Sequence, residues 1–252
     1  MKTYSILGCG WLGLPLATQF ISKGICIKGS STSVDKLEKL KKYKITSYLV
    51  DIEKEGDYQE FLDAEVLIIA ITSKDINAYE YLVSQIEKAS VKKVVFISST
   101  SVYPSLNKVI TEEDDTIDSL LAKVENIFRN NTNFKTTIIR FAGLFGGDRK
   151  PGNWFRNKKV PHPKGYVNMI HREDCIAIIE KIIKQDVWNE TFNACSNHHP
   201  TREAFYTNAK KSIGMEPPVF DDSQPLKYKI ISPKKLETRL GYRFKHNDLL
   251  NI

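Results

Sequence analysis

Residues 6–13 read Ile6-Leu7-Gly8-Cys9-Gly10-Trp11-Leu12-Gly13, and two incompatible proteins can be built from them. Read as Leu-Gly-Cys, the stretch ends a bacterial lipoprotein signal, with Cys9 as the lipid carrier. Read as Gly-x-Gly-x-x-Gly, it is the loop that lays a dinucleotide pyrophosphate on a helix N-terminus. The first reading needs a basic start and an apolar core of about 7–15 residues before the cysteine. Only six residues separate Lys2 from Cys9, and two of them, Thr3 and Ser5, are polar. The second reading needs a strand before the glycines and a helix after them.

Both are present. Residues 3–8 have a strand pattern. Residues 14–24 put Leu16, Phe20 and Ile21 on one helical face and stop at Gly24, and residues 25–30 form a second strand. Within this unit Gly8 permits the tight turn, Gly10 lets the backbone approach the pyrophosphate, and Gly13 lets helix and strand pack closely. The alternation continues with helices over 33–43, 57–64, 76–90 and 118–130, and strands over 45–50, 65–71, 92–99 and 135–146. Continuous apolar strands alternating with helices predict an α/β fold, a doubly wound Rossmann-type parallel sheet covered on both faces. From about residue 147 the rhythm breaks into a Gly/Pro/Lys-rich loop. The expected division is therefore 1–146, a dinucleotide-binding domain, and 147–252, a small substrate lobe interleaved with the last sheet elements. Such a lobe would lie over the C-terminal edge of the sheet, where these folds bind ligands.

Composition narrows the partners. No apolar run approaches the ~20 residues of a transmembrane helix; the longest, residues 64–71, suits a buried strand. The four cysteines, Cys9, Cys26, Cys175 and Cys195, form no C-x-x-C, so free thiols in a reducing cytoplasm are expected. A net charge of +7 invites nucleic acid. The lysines, however, are scattered: Lys36, Lys39, Lys41, Lys42 and Lys44 on one helix and its exit, Lys92 and Lys93 before a strand, Lys158 and Lys159 in a loop. None interleaves with aromatics as a single-strand binder requires. Solvated lysine faces account for the charge, with attraction for phosphorylated small molecules as the remaining effect. The expected partner is a small-molecule substrate, with neither nucleic acid nor membrane, and the chain is expected as a monomer or homodimer.

The end of the second strand bears on the cofactor. An NAD site places an acid about 20 residues beyond the loop, on the ribose 2′-hydroxyl. Here the residues are Gly29-Ser30-Ser31-Thr32-Ser33, with no acid until Asp35. Small hydroxyls with Lys28 and Lys36 nearby can hold a 2′-phosphate, which favours NADP and leaves NAD possible. A plain helix-capping serine run is compatible with either.

Nearly end to end, the chain resembles the extended short-chain dehydrogenases/reductases of the NAD(P)-dependent epimerase/dehydratase group, and within it the small, atypical YeeZ-like members. The residues that carry this are "ILGCGWLGLPLA" (6–17), Asp51 in "LVDIE", "VVFISSTSVYP" (94–104), "IIRFAGLFGG" (138–147), "VNMIHREDCIAII" (167–179), "TFNACS" (191–196), and "GMEPP" (214–218) with "SPKKLETRLGY" (232–242). The resemblance implies a cofactor surface of Gly8, Gly10, Trp11, Leu12, Gly13, Ser30, Ser31, Thr32, Asp51, Ala70 and Ile71, with Asp51 meeting the adenine. It also implies chemistry in which a Ser/Thr, a Tyr and a Lys four residues after the Tyr handle a proton while hydride passes to or from nicotinamide. Ser99 falls on the serine position, with Ser101 beside it. The pair is absent: aligning on Glu125 puts Ile117 and Leu121 there, and taking Lys123 as the lysine puts Ser119 at the tyrosine. No tyrosine lies between Tyr103 and Tyr166.

The catalytic candidates are then Ser99, Tyr103 and His171, with Glu112 behind them. His171 reads equally as a strand end that orients its loop, and Asp174 as the cap of the following helix. His198 and His199 are adjacent and do not share a face, and no metal is expected. Ser101, Arg149, Asn153 and Trp154 are the substrate-contact candidates, with Arg156 beside them. Arg149 suits a phosphate or carboxylate, and Trp154 reads equally as closing the lobe onto the sheet. The expected function is an oxidoreductase or epimerase on a small polar or sugar-nucleotide-like substrate. The alternative is a non-catalytic NADP(H)-binding sensor.

Overall fold

The structure is a computed structural model and describes residues 2–251. From the N-terminus the elements are β1 (Thr3–Leu7), α1 (Gly13–Ser22), β2 (Cys26–Ser31), α2 (Val34–Lys42), β3 (Thr46–Leu49), α3 (Gln59–Leu62), β4 (Val66–Ile69), α4 (Ile76–Lys88) and β5 (Lys93–Ser99). There follow β6 (Val109–Ile110), α5 (Leu120–Arg129), β7 (Lys135–Phe141), β8 (Gly143–Phe145), β9 (Val160–Pro161), β10 (Met169–His171) and α6 (Arg172–Lys184). The chain closes with β11 (Thr191–Ala194), α7 (Arg202–Lys211), β12 (Phe220–Asp221), β13 (Ile230–Ile231) and α8 (Lys234–Leu240). Seven strands form one sheet in the order β11-β7-β5-β4-β1-β2-β3, the doubly wound α/β order with its switch point beside β1. β1 pairs in parallel with both β2 and β4. Strands buried on both faces explain the unbroken apolar runs; every residue of β4 is buried.

The chain divides into two compact units. The first holds residues up to Ser98, with Asp118–Ile139 and Ile182–Thr191; the second holds Ser99–Ile117, Arg140–Lys181 and Phe192 onward. The chain passes between the units after Ser98, Ile117, Ile139, Lys181 and Thr191, and not at residue 146. In the first unit, the Phe96 and Phe128 rings stack at 4.9 Å, and Tyr79 stands edge-on to both. The second unit has its own core of Phe145, Val167, Met169, Phe205 and Leu249. It also contains three parallel two-strand pairs, β8–β10, β9–β12 and β6–β13.

Three local expectations change. On α1 the buried face is Leu16, Ala17 and Phe20, while Ile21 is half-buried. The helix expected over 57–64 is the single turn α3, started by Asp57 accepting from the Gln59 N–H. The strand expected over 135–146 is two strands, because Gly143 turns aside to donate to the Asn168 carbonyl. A Cβ at position 143 would lie 2.5 Å from Met169 Sδ and 3.1 Å from the Asn168 carbonyl oxygen, so a side chain there would have to displace the Met169 thioether between β8 and β10. No helix of the described residues is long and apolar enough to cross a membrane.

Candidate functional site

The glycine loop joins β1 to α1 in the first unit, and its glycines have different reasons to be there. Gly8 has φ +96°, and a Cβ on it would lie 2.8 Å from the Ala70 carbonyl oxygen and 2.7 Å from the Ile71 side chain. A Cβ on Gly13 would lie 2.1 Å from the Gly8 carbonyl oxygen. The protein's own packing therefore requires both, and Ala70 and Ile71 are placed directly against the loop. Gly10 differs: nothing lies within 4 Å of its Cβ position, and its φ is not positive. Internal packing does not explain a glycine there, whereas a ligand lying close to the backbone does. α1 begins beside it, with Leu12 as an N-cap that makes no side-chain bond; Leu14 N donates to the Gly10 carbonyl and Pro15 brings no N–H, so Gly13 N is the amide the helix start can offer. Leu12 is buried and Trp11 half-buried.

The loop is tied to β2 through Ser30. Its Oγ accepts from Gly8 N at 3.0 Å and its carbonyl from Cys9 N at 2.9 Å. Ser30 is buried and so anchors the loop instead of offering a free hydroxyl to a 2′-phosphate. Lys28 is likewise committed, donating to the carbonyls of Glu60 (2.5 Å) and Asp63 (2.8 Å). Of that group only Ser31, Thr32 and Lys36 remain toward the α2 end. Ser31 Oγ accepts from Ser33 N, and Thr32 and Lys36 are exposed. Asp51 accepts from Glu53 N and pairs with Lys54 at 3.0 Å.

Cys9 packs its sulfur against Gly29, where a Cβ would stand 2.6 Å away. Burial pushes its thiol up to about 12 and raises Cys175 and Cys195 as well. Cys26 is exposed. A disulfide reagent on the native protein is therefore expected to titrate about one thiol, Cys26, with the remaining three appearing only on unfolding. Rapid loss of Cys9 in peptide mapping would contradict that placement.

The second unit gathers the remaining candidates into two groups. In the first, Ser99 ends β5 and its Oγ accepts from Ser101 N. Tyr103 follows, 2% exposed. Its hydroxyl donates to Asn193 Oδ1 at 3.0 Å and accepts from Arg140, whose guanidinium also lies over the ring at 4.8 Å. Burial raises its pKa despite Arg140. The phenol is a buried strut between two strands and not a proton donor with a free path to substrate. Glu112 completes this cluster by accepting from Asn193 N at 2.6 Å, and burial raises its carboxyl. Sequence reading missed Lys229. Its ammonium donates to the carbonyls of Thr100 (2.8 Å) and Tyr103 (2.5 Å), and burial lowers its pKa. The partners lie 129 and 126 residues away, beyond any local spacing signal.

The second group surrounds a cavity of about 470 Å³ that Arg149 and His171 line together; Ser99, Ser101 and Tyr103 do not. His171 packs against His246 with ring centres 3.7 Å apart and planes tilted by 39°. Burial, then His246, lowers its pKa. His171, Glu173 and His246 place ligand atoms within 4.8 Å of one another, a constellation the sequence did not suggest. Asn153 is exposed and accepts from Arg156. Trp154 packs on the second unit's core, 6.4 Å from the Tyr206 ring. His198 pairs with Asp248 and His199 with the Val167 carbonyl, so the two histidines diverge. Asp174, expected as a helix cap, instead accepts from Tyr242 Oη and from Lys245 N and His246 N.

No family model matches the sequence. Protein YeeZ of Escherichia coli (strain K12) is 31% identical over 269 residues, covering 99% of this chain and 98% of that protein. A short-chain dehydrogenase/reductase superfamily protein from Agrobacterium tumefaciens with bound NAD is similar at TM-score 0.81 and 13% identity, covering 99% of this chain and 95% of that one. UDP-glucuronic acid 4-epimerase from Bacillus cereus in complex with NAD is similar at TM-score 0.79 and 14% identity, again over 99% and 95%. The structural likenesses are likenesses of fold, and the full-length identity carries the family. The chain belongs to the YeeZ family, built on the Rossmann-type fold of the short-chain dehydrogenase/reductase and epimerase/dehydratase proteins.

Proposed function

We propose that the chain is an NAD(P)-dependent oxidoreductase or epimerase acting on a small polar, sugar-nucleotide-like substrate. The observation that carries this is Gly10, a glycine with open space in front of its missing side chain and an uncapped helix start beside it. The bound NAD of the two fold neighbours supports the dinucleotide, and the epimerase supports the substrate class. Once bound, nicotinamide supplies reversible hydride acceptance; the rest falls to this chain. The loop amides and the α1 start hold the pyrophosphate. Ser99 offers a hydroxyl at the end of β5. Lys229, tied to the backbone of residues 100–103, sets a positive charge beside the turn that carries Ser99 and Ser101. That is the electrostatic service a Tyr–Lys pair would otherwise give.

NADP is the preferred dinucleotide. β2 runs into Ser31, Thr32 and Ser33 with no acid at the strand end itself, and Lys36 lies beside Asp35 in the first turn of α2. NADPH is expected to raise the melting temperature more than NADH at equal concentration; the reverse order would overturn this preference. With a panel of UDP-sugars, Ser99→Ala and Lys229→Met are each expected to lower kcat about tenfold or more, with dinucleotide affinity within about twofold. A non-catalytic dinucleotide sensor is the second reading, favoured by the buried, fully engaged Tyr103. It predicts tight NADPH binding with no change of the nicotinamide spectrum for any panel member.

A further inference from the structure

The cavity of the second unit is lined by Arg149, Lys150, His171 and His246, and no carboxylate is among its lining residues within the described part of the chain. Phe145, Pro151 and Ile213 supply an apolar wall. Its volume, about 470 Å³, falls within the range of small-molecule sites. Every described lining residue belongs to the second unit.

We propose that this cavity binds a small organic anion, a carboxylate or phosphate head on a compact apolar body. The guanidinium of Arg149 offers a planar fork suited to either head, and Lys150 adds a point charge. The histidines are fixed so that they face the same space. His171 Nδ1 accepts from Glu173 N at 3.3 Å, which leaves the proton of the neutral ring on Nε2. That nitrogen lies 2.3 Å from where a Cβ of Gly146 would stand, and Gly146 has φ +105°. The glycine clears the ring's approach to the cavity. His246 packs against His171 with tilted rings, and Glu173 Oε2 holds its Nε2 at 3.1 Å. Glu173 is exposed and is not among the described lining residues, so it orients the second ring from beside the cavity. Cationic and apolar side chains in one lining select a molecule with both characters over inorganic phosphate or a neutral aromatic.

The site competes with one other occupant, a divalent cation on His171, Glu173 and His246. Arg149 and Lys150 repel a cation, which favours the anion. The test is calorimetric titration of the full chain at low salt with phenyl phosphate and benzoate, against inorganic phosphate and phenol. At least one of the first two is expected to saturate a single site about tenfold more tightly than inorganic phosphate, with no saturation by phenol. The preferred of the two identifies the head group. Arg149→Met is expected to weaken that binding about tenfold, and Ser212→Trp, which fills the cavity from an exposed position, to abolish it. Lys150→Met gives a second reading should Arg149→Met melt early. Three results would overturn the proposal: no saturable binding of either organic anion, equal affinity in the variants, or binding that requires added Zn²⁺ and disappears with EDTA.

Discussion

Valine at position 10 is expected to leave the fold intact and to remove dinucleotide binding. The two halves of that expectation rest on the same geometry. A Cβ at Gly10 meets no atom within 4 Å, and the backbone there is open to L-residues. The melting temperature without ligand should therefore stay within about 2 °C of the parent, as for an ordinary surface substitution. NADPH at a hundredfold excess over its dissociation constant stabilises the parent by about 2.7 kcal/mol, about 5–10 °C for a chain of this size. In Gly10→Val that increment should vanish up to millimolar ligand, because the isopropyl group occupies the space the pyrophosphate must enter. Gly13→Val is the contrast. Its Cβ would stand 2.1 Å from the Gly8 carbonyl oxygen, a contact with backbone that no rotamer relieves, so this variant should fail to fold. A Gly10→Val protein that keeps its NADPH-induced shift would show that the dinucleotide binds elsewhere.

The contrast between these glycines also shows where sequence reading reaches its limit. Spacing alone identifies the loop, because Gly-x-Gly-x-x-Gly between a strand and a helix is a local pattern, and the alternating elements of the first unit are local too. What spacing hides is which of the three glycines the protein needs for itself. The same limit explains Lys28. In sequence it is a cation near the end of β2, but in the fold it reaches carbonyls 32 and 35 residues away and is spent there. Ser30 looks like a free hydroxyl and is the loop's anchor. The second unit was harder to read because it is held by two- and three-residue strand pairs, too short for any periodicity to register. Its contacts also close over long separations: Tyr103 to Asn193 spans 90 residues, and Lys229 to Thr100 spans 129. Tyr103 was a candidate acid by residue type; burial decided otherwise, and burial is not written in a four-residue window.

Asp174 closes over a comparable distance, and its loss is expected to be the most destabilising of the substitutions to alanine within the second unit's polar groups. Its carboxylate is fully buried and accepts three hydrogen bonds, from Tyr242 Oη at 2.7 Å, Lys245 N at 2.8 Å and His246 N at 3.1 Å. It also lies in the first turn of α6, where the helix dipole favours negative charge. Burial, then Asp174 itself, pushes the Tyr242 phenol pKa upward, so the tyrosine keeps the proton it donates. Alanine at 174 leaves a phenol and two amides without their acceptor, each costing about 1–3 kcal/mol when it stays buried. A total of at least about 3 kcal/mol is expected, lowering the melting temperature by roughly 10 °C. Tyr242→Phe removes only one donor together with its need, and should cost about 1 kcal/mol. Because the two share one hydrogen bond, the double variant should lose less than the sum of the singles; strict additivity would refute the clamp. The segment that Asp174 holds delivers His246 to the wall of the basic cavity. Asp174→Ala should accordingly weaken phenyl phosphate or benzoate binding, whichever the cavity prefers, even at temperatures where the chain is still folded, while NADPH binding at the glycine loop of the first unit persists. Equal loss of both ligands would mean global unfolding, and loss of neither would mean that the segment keeps its place without the carboxylate.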